Sequence, residues 1–244
     1  MNRIDLIRKI FQNTNFKRYL EIGCERGYSF LPLKVKYKVA VDPNFRIPKK
    51  RKLRWLFKVP ENINNKFFEE KSDDFFINRK NYLRRKKQFD VVLVDGMHTF
   101  RASLNDVLNS FNYLNIEGII IMHDCLPPHK AAATTYCPTP KEQETINGWD
   151  GIWCGDVWKT IVYLRRKHLD IVDICVVNTD FGLGLVRPKG QVSHENLKID
   201  EELFSEIDRL DYKDLMDNIK SMLNLKSSEY LTTIIEDIKI RNKR

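Results

Sequence analysis

Four short apolar runs constrain this chain most. They are RYLEIG at residues 18–23, YKVAVD at 37–42, FDVVLVD at 89–95 and EGIIIMHD at 117–124, and each stops on a carboxylate or a glycine. Runs that are apolar nearly throughout mark strands covered on both faces, as in a parallel sheet whose crossovers are helices. Helical spacing does appear between and before them. Leu104, Val107, Leu108, Phe111 and Leu114 share one face of FRASLNDVLNSFNYL, and RIDLIRKIFQN at 3–13 repeats the pattern. Residues 171–187 read differently: IVDICVV and FGLGLVR flank Asn178-Thr179-Asp180 as an antiparallel hairpin. From Asp200 onward the chain is charged and helical. No internal repeat is visible.

Composition narrows the class. The chain has 244 residues, of which 42% are hydrophobic and 31% charged, so a real core is expected and global disorder is not. Its longest purely apolar runs, residues 119–122 among them, are far short of the roughly 20 residues of a membrane span. Arg3, Asp5, Arg8 and Lys9 break up the beginning of the chain, unlike a signal peptide, so a cytoplasmic protein is expected. The five cysteines (Cys24, Cys125, Cys137, Cys154, Cys175) include no CxxC pair, which argues against a zinc knuckle or a disulfide framework. The net charge of +9 is concentrated in residues 34–58 and 79–87. These segments read as a solvated surface, with attraction of phosphate, nucleic acid or anionic lipid as the alternative.

The segment Glu21-Ile-Gly23-Cys24-Glu25-Arg26-Gly27 follows the first strand run and is expected to open a helix. Glycines there allow a sharp turn and close approach of a ligand. Asp42 ends the second run, where a carboxylate can accept the hydroxyls of a ribose. A nucleoside-containing cofactor follows. The dinucleotide pattern GxGxxG would need glycines where Glu25 and Tyr28 stand, and a carboxylate at 25 would repel a pyrophosphate. S-adenosylmethionine (SAM) has no phosphate and suits ExGxxxG better.

That order of ExGxxxG and Asp42, followed by SDDFF (72–76), VDGMHTF (94–100), MHDCLPP (122–128), GDVWK (155–159) and DFGLGLVRP (180–188), resembles the class I SAM-dependent methyltransferases. It is similar to the branch often found with sugar and cell-envelope biosynthesis. The resemblance implies a Rossmann-like α/β three-layer sandwich with a mostly parallel seven-stranded sheet and an antiparallel last strand. It further implies a SAM-binding methyltransferase domain over residues 1–190 and a C-terminal helical extension over 191–244, packed on that domain or on a partner. By position, Glu21, Gly23 and Gly27 would form the SAM loop and Asp42 would bind ribose. Ser72 and Asp73 would lie near the adenine, with Asp95 also at the cofactor.

Ligands of open α/β sheets bind beyond the carboxyl ends of the strands. Asp95, His98, His123 and Asp124 fall at that rim and are the catalytic candidates. Transfer to oxygen needs a base to take the hydroxyl proton, which suits His98 or His123, or a metal to acidify the hydroxyl. Magnesium-dependent relatives imply Asp95 and Asp124 as metal ligands, with His123 standing where a third carboxylate is expected. Trp149, Trp153 and Trp158, on or beside the long irregular stretch 126–156, could stack on an acceptor or fasten the stretch. His129, His168 and His194 read as surface residues, and Cys125, Cys137 and Cys154 lack zinc spacing.

The function expected is SAM-dependent O-methylation of a small molecule such as a sugar or glycan precursor, by a chain that could form a homo-oligomer. Two alternatives stand beside it. One is an RNA methyltransferase using the basic face. The other is a non-catalytic SAM-fold scaffold acting through its C-terminal helices.

Overall fold

The computed structural model describes residues 1–85, 88–190, 192 and 197–242; Lys86, Lys87 and His194, singled out above, lie outside them. One sheet contains β1 (Arg18–Ile22), β2 (Tyr37–Val41), β3 (Lys66–Phe68), β4 (Phe89–Val94), β5 (Leu114–Met122), β6 (Val172–Val177) and β7 (Leu183–Pro188). Their spatial order is β3-β2-β1-β4-β5-β7-β6. Pairs from β3 through β5 are parallel, while β7 runs antiparallel to both β5 and β6. The hairpin expected at 171–187 is therefore β6–β7, with its second strand inserted beside β5. The chain order reverses between β1 and β4, and the two strand ends there form the switch point at which such sheets bind ligands.

Strand residues alternate between two cores. Leu20, Ile22, Val92 and Val94 face a layer made of α3 (Ser72–Asn78), α4 (Lys80–Arg85), α5 (Phe100–Phe111), α7 (Trp158–Lys167), α8 (Glu201–Asp208) and α9 (Tyr212–Leu223). Tyr19, Ala40, Val91 and Leu93 face the other layer, where α1 (Arg3–Asn13), α2 (Lys49–Lys58) and α10 (Tyr230–Arg241) lie. The short α6 (Pro140–Gln143) sits within the 126–156 stretch. The C-terminal helices divide between the faces: α8 and α9 pack on α7, whereas α10 packs on α1. Among the described residues, no helix is long and apolar enough to cross a membrane.

The helix expected after Gly27 does not form. Residues 28–32 make only turns before β2 begins at Tyr37. Pro32 interrupts a segment too short for a helix and a return. Lys38 holds this segment instead. Its ammonium is buried and donates to the carbonyls of Phe30 and Leu33 at 2.7 and 2.8 Å and to Asn62 Oδ1 at 2.6 Å. Burial pulls its pKa down to about 7. Lys38 thus belongs to the interior and not to the basic surface. Two other expectations change for the same reason. His168 is buried at the C-terminus of α7. Trp158 is a core residue, so it is unable to stack on an acceptor.

Candidate active site

A cavity of about 650 Å³ opens beyond the carboxyl ends of β1, β2 and β4. Gly23, Asp42, Ser72, Asp73 and Asp95, all expected at the cofactor, line it. Gly23 has φ +86°, and a Cβ there would overlap the Asp95 carbonyl oxygen, so β1 and β4 come together only over a glycine. Asp42 is positioned by backbone N–H groups of the loops after β1 and β2. One carboxylate oxygen accepts the Glu25 N–H at 2.8 Å and the other the Asn44 N–H at 2.7 Å. A carboxylate has further lone pairs, so hydroxyl donors can still be accepted from the cavity. Ser72 begins α3 and hydrogen-bonds the buried Asp106 of α5.

Glu21 and Gly27 sit differently from expectation. Neither lines the cavity. Gly27 turns the loop with φ +68° and donates its N–H to the Cys24 carbonyl at 2.7 Å. Glu21 lies fully buried beneath the loop, on the β1 face away from Ile22, and accepts the Tyr19 and Ser29 hydroxyls at 2.6 Å each. Burial pushes its carboxyl up to about 7. Glu21 is therefore a strut under the loop, and Ser29 carries its influence to the cavity wall.

Asp95, His98, His123 and Asp124 do converge, though only Asp95 and His98 line the cavity. His98 Nδ1 lies 2.8 Å from the Trp153 carbonyl, which can only accept, so the ring carries its proton on Nδ1. Its Nε2 faces Asp124 Oδ2 at 3.3 Å and Asp95 Oδ1 at 3.8 Å. Burial opposes a charge on this ring, but the neighbouring Asp95 and Asp124 carboxylates raise its pKa overall. Burial likewise disfavours the Asp95 carboxylate, but His123, His98 and the Arg3 guanidinium beside it hold it well below the usual range.

His123 is buried behind them. Its Nδ1 is 2.7 Å from Asp124 Oδ2 and its Nε2 is 2.8 Å from Arg3 Nη1. Burial disfavours a charge on this ring, while the carboxylates of Asp124, Asp180 and Asp95 favour one. The guanidinium demands the opposite, because an Arg N–H donor needs an unprotonated Nε2. At 2.8 Å the contact geometry decides in favour of the neutral ring, with Nδ1–H donating to Asp124. Both nitrogens are then occupied, one by Asp124 and the other by Arg3.

Three participants escaped the sequence reading. Arg3 of α1 also pairs with Asp95 through Nε at 3.3 Å and with Asp180 through Nη1 at 3.1 Å. Asp180, in the β6–β7 turn, accepts the Arg3 backbone N–H at 2.8 Å. Asp156 of the GDVWK motif accepts the Phe100 N–H at 2.6 Å, capping the first turn of α5 next to His98. No spacing rule links residues this far apart in sequence. His129, read as a surface residue, instead caps a short turn through the Ala132 N–H and lies 3.1 Å from Asp150. Trp153 anchors the 126–156 stretch by donating its indole N–H to the Thr134 carbonyl at 2.8 Å.

The metal expectation can be tested on the donor set. Asp95, His98 and Asp124 each offer an atom within 4.8 Å of the others. However, His123 and Arg3 already contact two of these three groups, and both nitrogens of His123 are bound. A divalent ion does not fit this cluster while the guanidinium is seated in it. SAM fits its own cavity better. The wall combines a glycine turn that admits close approach and a carboxylate at the end of β2.

Comparison with known proteins agrees with this geometry. Residues 20–125 match the model of a family described as a methyltransferase domain. No curated protein is similar in sequence. Among solved structures, the chain is similar to the S-adenosylhomocysteine (SAH)-bound methyltransferase PaMTH1 from Podospora anserina, with 19% identity and a TM-score of 0.52 over 78% of this chain and 80% of that one. The O-methyltransferase TomG from Streptomyces achromogenes, solved with SAM, is 14% identical with a TM-score of 0.51 over 77% and 78%. An O-methyltransferase from Bacillus cereus, solved with SAH, is 13% identical with a TM-score of 0.51 over 76% and 79%. At these identities the neighbours speak for the fold, and the family match speaks for the domain within it. Residues 20–125 thus match a methyltransferase domain, and the chain shares the fold of these solved methyltransferases.

Proposed function

We propose that the chain methylates a hydroxyl oxygen of a small molecule, with a sugar or glycan precursor as the favoured acceptor. The observation that carries this reading is the single cavity running from the Gly23 turn and Asp42 to the side chains of Asp95 and His98. Gly23, Cys24 and Asp42 would hold the amino-acid and ribose parts of SAM, with Ser72 and Asp73 beside its base. SAM supplies an electrophilic methyl group when bound.

His98 is the general base in this reading. Its Nδ1–H is held by the Trp153 carbonyl, so its Nε2 lone pair is the one available to take the acceptor hydroxyl proton. Asp95 and Asp124 stabilise the imidazolium that results. The His98 and Trp153 rings lie 5.2 Å apart, so Trp153 helps fix the orientation of the imidazole. The 126–156 stretch reaches His98 through the Trp153 carbonyl and would border the acceptor. Residues 1–190 form the methyltransferase domain and residues 191–244 a helical extension of it. All five cysteines are free, which suits the reducing cytoplasm.

Thermal unfolding with SAH, and separately with NAD, tests the cofactor. A ligand at a hundred times its dissociation constant adds about 2.7 kcal/mol of stability. A shift with SAH and none with NAD is expected; no shift with SAH in a cooperatively melting protein would overturn the reading. Methyl transfer from labelled SAM to a panel of sugars and sugar nucleotides then identifies the acceptor. Binding of RNA with steep salt dependence, and methylation of it, would favour the nucleic-acid alternative.

A further inference from the structure

The rim of the cavity carries its own cation. Arg3 lies outside the matched domain, on the helix that begins the chain, and still reaches the ends of β4 and β5. Its position is fixed twice. The backbone N–H donates to Asp180 Oδ2 at 2.8 Å, while the guanidinium meets Asp180 at 3.1 Å, Asp95 at 3.3 Å and His123 Nε2 at 2.8 Å. The Thr179 hydroxyl donates to the Met1 carbonyl at 3.1 Å and ties the same turn to the start of the chain.

We propose that the Arg3 guanidinium is the resident cation of the Asp95–Asp124–Asp180 cluster, taking the charge-balancing place of a divalent ion and excluding such an ion while it is seated. The donors that could hold a dication are Asp95, His98 and Asp124. Arg3 already pairs with Asp95, and through Nε2 it holds His123 in the form that donates Nδ1–H to Asp124. A dication at these donors would sit against a guanidinium and would compete with it for the same carboxylate. An arginine cannot step aside by losing its proton at ordinary pH. Arg3 is thus a positioning residue. It acts on His98 through His123 and Asp124, and through Asp95. The inference concerns cation binding alone and does not depend on which acceptor is methylated.

Titration with Mn²⁺, followed by the electron paramagnetic resonance of the free ion, tests the proposal on the full chain. Wild type is expected to leave the ion free at concentrations where Arg3→Ala binds one ion per chain, with at least a tenfold difference in apparent Kd. Adding Asp124→Asn to Arg3→Ala should abolish that binding. Arg3→Lys keeps the charge and should still exclude the ion, a result that loss of packing alone would not produce. SAH binding to each variant reports that it is folded. Should Arg3→Ala fail to fold, Arg3→Gln replaces it, and wild type remains decisive without any variant. Tight binding of one Mn²⁺ by wild type would overturn the proposal. So would a folded, SAH-binding Arg3→Ala that takes no ion, or an Arg3→Lys that binds the ion as Arg3→Ala does.

Discussion

His98 and Trp153, 55 residues apart, meet at a hydrogen bond of 2.8 Å between the imidazole Nδ1 and the Trp153 carbonyl. Because the carbonyl is an acceptor only, this bond chooses the tautomer and leaves the unprotonated Nε2 facing Asp124 and Asp95. The loop that carries Trp153 thereby sets the protonation of a ring near the start of α5. Asp156, three residues further along, caps the same helix.

Replacement of His98 by Gln should lower kcat by about 10²- to 10⁴-fold, the usual span for a general base. SAH affinity, measured by calorimetry, should stay within about twofold. Replacement of His123 by Gln should cost less, since that ring has no free nitrogen for the acceptor proton. Equal losses in the two variants would count against His98 as the base.

The pH–rate profile should show an acidic limb that reports His98, because a protonated imidazole cannot accept the hydroxyl proton. The neighbouring carboxylates raise the pKa of this ring, so the limb should lie above the ordinary value near 6.5. Asp124→Asn removes one of those charges and should move the limb to lower pH. A limb that stays in place would assign it to another group.

Asp42→Ala should weaken SAH binding by roughly 10- to 100-fold, the scale of lost hydrogen bonds to a charged group. It should also lower the melting temperature slightly, because the Glu25 and Asn44 N–H groups lose their acceptor. Unchanged affinity in isothermal calorimetry would move the ribose elsewhere.

Asp106 should make the fold less stable as pH rises. Burial lifts its carboxyl from 3.8 to about 7, so the folded chain holds a proton that the unfolded chain releases. That contribution is fully present below about pH 4 and is lost as pH rises through 7. Asp106→Asn mimics the protonated group. It should be close to neutral at pH 4 and more stable than wild type at pH 8, by up to about 4 kcal/mol on the scale of 1.36 kcal/mol per pKa unit. Thermal melts of both proteins across this range check the sign. Glu21, raised to about 7 by burial, adds a slope of the same sign that both proteins share.

The local pattern of residues determined the layers of this protein. Continuous apolar runs such as FDVVLVD can only be strands covered on both sides, and the Gly23 turn and Asp42 follow their strands within a few residues. The helix expected after Gly27 failed because Pro32 and a short return to β2 outweigh local propensity, and a buried Lys38 filled the gap. The chemistry of the rim was decided by contacts across the chain. Arg3 meets Asp180 at a separation of 177 residues, and that meeting depends on α1 lying beside the β6–β7 turn. Periodicity encodes which face of an element is buried. It carries no record of which distant side chains share a strand end, so His123 read as a free base until the tertiary structure placed a guanidinium on its second nitrogen.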